Sequence, residues 1–279
     1  MRKILIGASL VAVLSFLALR YAIAQSAFIN AKGNVIGERI NCPKGFNRVP
    51  EKEGTFANFL RKLKVKPDGS PVRYYDGTTK FNNNLYAAVI DINIGNKNLQ
   101  QCADVIMHVR AEYLYTTHQE NKIHFNFTNG FRAEYSKWKE GYRISITGNK
   151  TKWVKTAQPD NSYKTFLDFM DVVYNYGGTL SLSKELVKVK YNDMQPGDIL
   201  IKGGSPGHAE LIVDMAENNA GKKIFLLTQS YMPAQEMQLL TNRNNRDISP
   251  WYELNAANPN IITPEWDFTT SQLMRFADN

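Results

Sequence analysis

Cysteine and histidine are the side chains best suited to nucleophilic chemistry at neutral pH, and the chain holds two of the first and four of the second. Cys102 lies in LQQCADVIMHVRAEYLYT, where Cys102, Val105, Ile106, Val109 and Tyr113 recur at the spacing of one apolar helical face. This predicts a helix over 99–116 with Cys102 in its first turn, Asn98 as N-cap and Asp104 at the positive end of the dipole. A thiol so placed is biased toward thiolate, the form that attacks a carbonyl carbon. It needs a base. His208 opens a predicted strand over 208–215, directly after the corner Gly203-Gly204-Ser205-Pro206-Gly207, and a rigid strand beside such a corner suits a general base.

A third polar group should hold the imidazole in the right tautomer. With the turn between strands 208–215 and 223–230 centred between Asn218 and Asn219, Gln229 stands opposite His208, and a slip of one residue would lose the pair. Glu210 and Asp214 share His208's strand face and are rivals for that role. The expected roles are nucleophile for Cys102, base for His208 and orienter for Gln229. Ion pairing with His208 would hold the thiol between about 3.5 and 7.5. An oxyanion would be received by the Cys102 N–H with help from the Gln100 or Gln101 side chain, and Tyr135, Trp138 and Tyr231 would wall the cleft. Taken singly, a cysteine on an apolar helix face is ordinary core and a histidine at a strand end is ordinarily structural. Their combination with Gln229 carries the chemistry.

Other chemistries fit less well. The G-x-S-x-G match at Gly203–Gly207 has a strand after it instead of a helix, and Pro206 has no N–H to give an oxyanion. His108, His118, His124 and His208 show no metal-ligand spacing, so neither metal nor other cofactor is expected. His108 falls off the apolar stripe and reads as a solvated residue.

These residues need elements to position them. Periodicity and turn residues predict strands over 85–94, 123–128, 198–202, 208–215, 223–230 and 236–240. Helices are expected over 55–63, with Thr55 as N-cap, over 162–176, and as short pieces within 131–141 and 271–276. Residues 25–54 read as loop. The implied class is α+β, an antiparallel sheet packed on the cysteine helix, with 25–279 forming one elaborated domain.

At 279 residues, with 43% hydrophobic and 11% aromatic content, the chain can bury a sizeable core. Arg2-Lys3, the apolar run 4–19 and Ala22-Ile23-Ala24 read as an export signal over 1–24, with cleavage before Gln25. The run is too short for a stable membrane span once cleaved, and a periplasmic or extracellular location follows. Removing Arg2, Lys3 and Arg20 with the leader lowers the formal charge from +8 to +5, without basic blocks, which disfavours nucleic acid as a partner. The different settings of Cys42, in a Pro-adjacent loop, and Cys102 favour two free thiols over a disulfide.

The segments QQCADVIMHVRAEYLY, IHFNFTNGFRAEYSKW, GGTLSLSKEL, GGSPGHAELIVDMAEN and LLTQSYMPAQE resemble the exported bacterial family known as domain of unknown function 4846. More distantly, a cysteine near a helix start, then PGDILI…GHAELIV, then a strand with a polar residue is similar to NlpC-type, papain-like cysteine peptidases and amidases. That likeness implies a papain-like outline and maps nucleophile, base and orienter onto Cys102, His208 and Gln229. Two departures stand out: Gln101 precedes the cysteine where those enzymes typically carry an aspartate, and no serine-glycine pair follows it. The function expected is an exported thiol hydrolase of peptide or amide bonds, with cell-wall peptide or glycan as partner. The alternative is a non-catalytic glycan- or peptide-binding protein on the same fold.

Overall fold

The run HAELIVDMAEN is buried over its first nine residues in the computed structural model, which describes residues 28–279 apart from 83 and 256 and puts it at the centre of a sheet. The expected leader over 1–24 lies outside the described residues. Nine strands form an antiparallel sheet. Its order is β2 (Tyr86–Val89), β11 (Gln238–Leu240), β10 (Lys223–Gln229), β9 (His208–Asn218), β8 (Ile199–Lys202), β15 (Leu273–Arg275) and β7 (Val187–Lys188). The short β1 (Phe46–Arg48) pairs with the far end of β9, and β12 (Tyr252–Glu253) with the start of β10. The architecture is α+β, as expected.

Both faces of β9 are covered. On one face Ala209, Leu211 and Val213 join a core with Val105, Ile106 and Val109 of α3 (Cys102–Thr116) and Phe166, Phe169 and Met170 of α5 (Tyr163–Tyr176). On the other face Ile212 and Met215 pack with Phe225, Leu227, Ile261 and Phe268. Each such side chain, fully buried, contributes roughly 1.5–3 kcal/mol, so the sheet's centre is the best-anchored part of the chain.

The hairpin between β9 and β10 differs from expectation in a way that matters. Its turn is wider, with Lys223 facing Glu217 and Leu226 facing Asp214. That offset is three residues from the expected one, and three residues would put Gln229 on the wrong face. A bulge at Val213 then lets Leu227 face Ile212 and Thr228 face Leu211, absorbing one residue. An offset of two remains. Gln229 is therefore not directly opposite His208, but on the same face one strand pair away.

Local signals were read unevenly. Thr55 caps α2 (Phe56–Arg61), accepting from Asn58 N–H at 3.2 Å, and Ser162 caps α5, accepting from Thr165 N–H at 3.2 Å. The cysteine helix begins at Cys102, later than expected, because the Asp104 carboxylate accepts the Gln101 N–H at 3.1 Å and makes Gln101 the N-cap. Asn98 instead accepts the Ala234 N–H. Residues read as loop hold α1 (Ile36–Arg39) and β1. The stretch 131–141 divides into a strand, β4 (Arg132–Glu134, paired with β3, His124–Asn126), and α4 (Tyr135–Lys139). Residues 142–155 form the hairpin β5 (Tyr142–Thr147)–β6 (Lys150–Lys155), and α6 (Thr179–Glu185) follows α5. The expected final helix at 271–276 is strand β15 behind one 3-10 turn, because pairing with β8 and β7 holds it extended.

Candidate active site

Cys102 and His208 line one cavity of about 440 Å³. Its walls are the start of α3, the Gly177-Gly178-Thr179 link into α6, the Gly204–Gly207 corner, Tyr231 and Trp266. The corner is packed to backbone limits: a Cβ on Gly207 would lie 2.4 Å from the Gly204 carbonyl oxygen and 2.7 Å from that of Lys202. Cys102 comes from the helix layer, on the Ala209 side of the sheet, whereas His208 belongs to the opposite face. Both open onto this cavity at the start of β9, where the Ala209 amide favours negative charge on the sulfur.

The His208 ring is held by a chain of buried polar groups. Lys80 Nζ lies 2.6 Å from Glu265 Oε2, and the same oxygen accepts from Gln229 Nε2 at 2.5 Å. A carboxylate only accepts, so the Gln229 amide must turn its N–H toward Glu265 and its Oε1 toward His208. His208 Nε2, 2.8 Å from that oxygen, therefore carries the proton, leaving Nδ1 with the lone pair of a base. Three rings flank the imidazole: Tyr231 at 4.9 Å, Trp266 at 5.3 Å and Phe268 at 6.0 Å between centroids.

Of the two rivals, Asp214 is engaged elsewhere, bound by Arg48 and Arg61 at 2.6 and 2.7 Å. Glu210 is near, its Oε1 3.7 Å from His208 Nε2, but it is wholly buried and accepts from Thr263 Oγ1 at 2.7 Å. Burial pushes Glu210 well above the carboxylate range, against the Thr263 bond that favours its charged form.

Electrostatics run against the expected ion pair. Burial, then the nearby Asp104, push the Cys102 thiol up to about 11, outweighing the amides of Ala103, Ala209 and Cys102 itself. Burial pushes His208 down to about 4, the Gln229 bond acts the other way, and the Lys80 charge adds to the lowering. The gap between about 11 and about 4 corresponds to about 10 kcal/mol for moving the proton from sulfur to nitrogen. Even for charges as close as about 4 Å, attraction at an effective dielectric of 20 returns only about 4 kcal/mol. The resting pair is neutral thiol and neutral imidazole. Asp104 itself is pushed up by burial to about 7, and its Oδ1 has no partner.

Several expected positions move. Gln101 lines the Cys102 cavity, while Gln100 lines a different cavity behind the helix start, because successive residues there point apart. Tyr231 is in the cleft wall as expected. Tyr135 and Trp138 are not: both are buried in the helical core, packed on Phe169 at 5.5 and 5.8 Å. Three residues apart on α4, they form its inner, buried stripe. His108, expected in solvent, is buried because α3 is enclosed on nearly every side. Both described cysteines are free.

Sequence reasoning missed the turn joining β13 (Asn260–Ile262) to β14 (Asp267–Thr269). It supplies Thr263 to Glu210, Glu265 to Gln229 and Trp266 to the His208 ring. No local signal announces this, beyond an acidic and an aromatic residue together in a turn. Among the described residues no group of three or more His, Cys, Asp or Glu side chains is placed to hold a metal ion, and no helix is long and apolar enough to cross a membrane.

Comparison with curated proteins and with solved structures finds no match. A family model described as "Domain of unknown function (4846)" matches residues 36–275, a span that includes both the cysteine helix and the histidine strand. The chain belongs to that family.

Proposed function

We propose that this protein is a thiol hydrolase of peptide or amide bonds, exported to the periplasm or cell exterior and acting on cell-wall peptide, with the sheet and cysteine helix in a papain-like arrangement. The observation carrying this reading is the 2.8 Å bond from His208 Nε2 to Gln229 Oε1, which frees Nδ1 as a base in the cavity shared with Cys102.

Cys102 Sγ attacks the carbonyl carbon while His208 Nδ1 removes its proton, in one concerted event, since a free thiolate is disfavoured in this pocket. The oxyanion accepts from the Cys102 N–H and the Gln101 side chain. As the carbon–nitrogen bond breaks, the imidazolium returns its proton to the leaving amine. Water, deprotonated by the same nitrogen, then attacks the thioester and releases a carboxylic acid and the thiol. Gln229, held by Glu265 and Lys80, keeps the ring turned throughout. A digest of purified peptidoglycan, with products identified by mass, tests this: wild type releases fragments and Cys102→Ala releases none.

The neutral resting pair favours a second reading, a non-catalytic protein that holds glycan or peptide in the aromatic cleft. Binding that survives Cys102→Ala, with no product from wild type, selects it.

A further inference from the structure

A second cavity, of about 780 Å³, lies across α3 from the first, and Leu99 and Tyr174 line both. Its apolar walls include Phe59, Leu63, Ile92 and Leu167, and one side is a polar network unused by the proposed chemistry. His108 Nε2 lies 3.2 Å from Glu112 Oε1, and the Tyr163 hydroxyl donates to the same oxygen. Because a carboxylate only accepts, His108 Nε2 carries the proton, and Nδ1 accepts from the Tyr174 hydroxyl at 2.6 Å. Every donor in this network is spent.

The acceptors are not. Both bonds to Glu112 fall on Oε1. Gln100, only 6% exposed, gives its Nε2–H to the Asn93 carbonyl at 3.3 Å, and its Oε1 has no partner. A native protein seldom leaves a buried acceptor unpaired without use for it. The lysines among the lining residues are exposed, Lys62 tied to Glu53 and Lys97 to Asp171. A cavity of this size and lining suits a small ligand, and Glu112 Oε2 is a charged acceptor that takes neither the His108 nor the Tyr163 bond.

We infer that this cavity is a binding site for an organic ammonium compound: a primary ammonium group bonded by Glu112, on an apolar stem or ring packed against Phe59 and Leu167. The site does not depend on Cys102 being catalytic. Titration calorimetry at pH 7 with 2-phenylethylamine, 2-phenylethanol and 3-phenylpropionate tests it on the whole protein. The amine should bind one-to-one and at least tenfold tighter than the alcohol or the carboxylate. Glu112→Gln should weaken it at least tenfold, Leu167→Trp should weaken it by taking the space in which the stem packs, and Cys102→Ala should leave it unchanged. Equal binding of the three probes, no binding of the amine to folded wild type, or amine binding unaltered by both Glu112→Gln and Leu167→Trp overturns the inference. So does amine binding lost in Cys102→Ala, which would place it in the other cleft.

Discussion

At the residue scale, the site is governed by desolvation. Asp104 is the second cause of the raised Cys102 thiol, after burial. Asp104→Asn keeps an acceptor for the Gln101 N–H and removes the charge. Iodoacetamide labelling of Cys102, followed by peptide mapping, should be slow at neutral pH in wild type and should rise at lower pH in Asp104→Asn. An unchanged profile would show that the carboxylate is too screened to act. His208 and Asp104 also link stability to pH in opposite senses. His208 titrates near 6.5 unfolded and about 4 folded, so the unfolded chain binds more protons between those values. Its contribution therefore rises with pH across that window, by about 3 kcal/mol in all. Asp104 goes from 3.8 unfolded to about 7 folded, so the folded chain binds more protons and stability falls with rising pH there, by about 4 kcal/mol. In urea melts from pH 4 to 7, subtracting wild type should show His208→Asn losing stability with rising pH and Asp104→Asn gaining it.

The elements place these residues through a few close tolerances. At Gly207 an added methyl group meets backbone oxygens on two sides, and the chain cannot shift without moving His208. Gly207→Ala should cost on the order of 1–3 kcal/mol, as overpacking does, measured as a lower thermal midpoint. The turn between β13 and β14 is the other control point. Gln229→Ala leaves the His208 Nε2–H without its partner, and the proposed hydrolysis should fall by about a hundredfold, the lower end of what a positioned proton-transfer group contributes. Nitrogen-15 shifts of the His208 ring should show the loss of a single tautomer in Gln229→Ala and, more weakly, in Glu265→Gln. Rings unaffected in both variants would sever the link from Lys80 through Glu265 to the imidazole.

Across the whole molecule, aromatic residues divide between packing and cleft. Trp138 stacks with the helical core, with Arg143 4.3 Å above its ring. Trp138→Ala should therefore cost about 3–5 kcal/mol of stability. Cys102 labelling in the surviving folded protein should stay as in wild type, because the residue lies outside the cleft. Trp266→Ala should do the reverse, altering the His208 environment with a smaller loss of stability.

What was legible in the sequence was local. Periodicity and flanking turn residues marked strands β8, β9 and β10, and Thr55 marked a helix start, because those signals act within a few residues. The pairing of cysteine helix, histidine strand and polar strand was readable from residue type and the parity of a hairpin. The parity argument reached a true contact through a wrong register: no rule of turn length announces a bulge at Val213, next to which Asp214 is held by Arg48 and Arg61. Burial is likewise a property of the assembled core. Only the tertiary structure decided that α3 is enclosed on almost all sides, which turns His108 inward and raises the thiol that a helix terminus alone would lower. Glu265 and Trp266 lie 36 and 58 residues from the side chains they touch. Contacts of that span come from closure of the chain around the sheet, and no local pattern of residues encodes them.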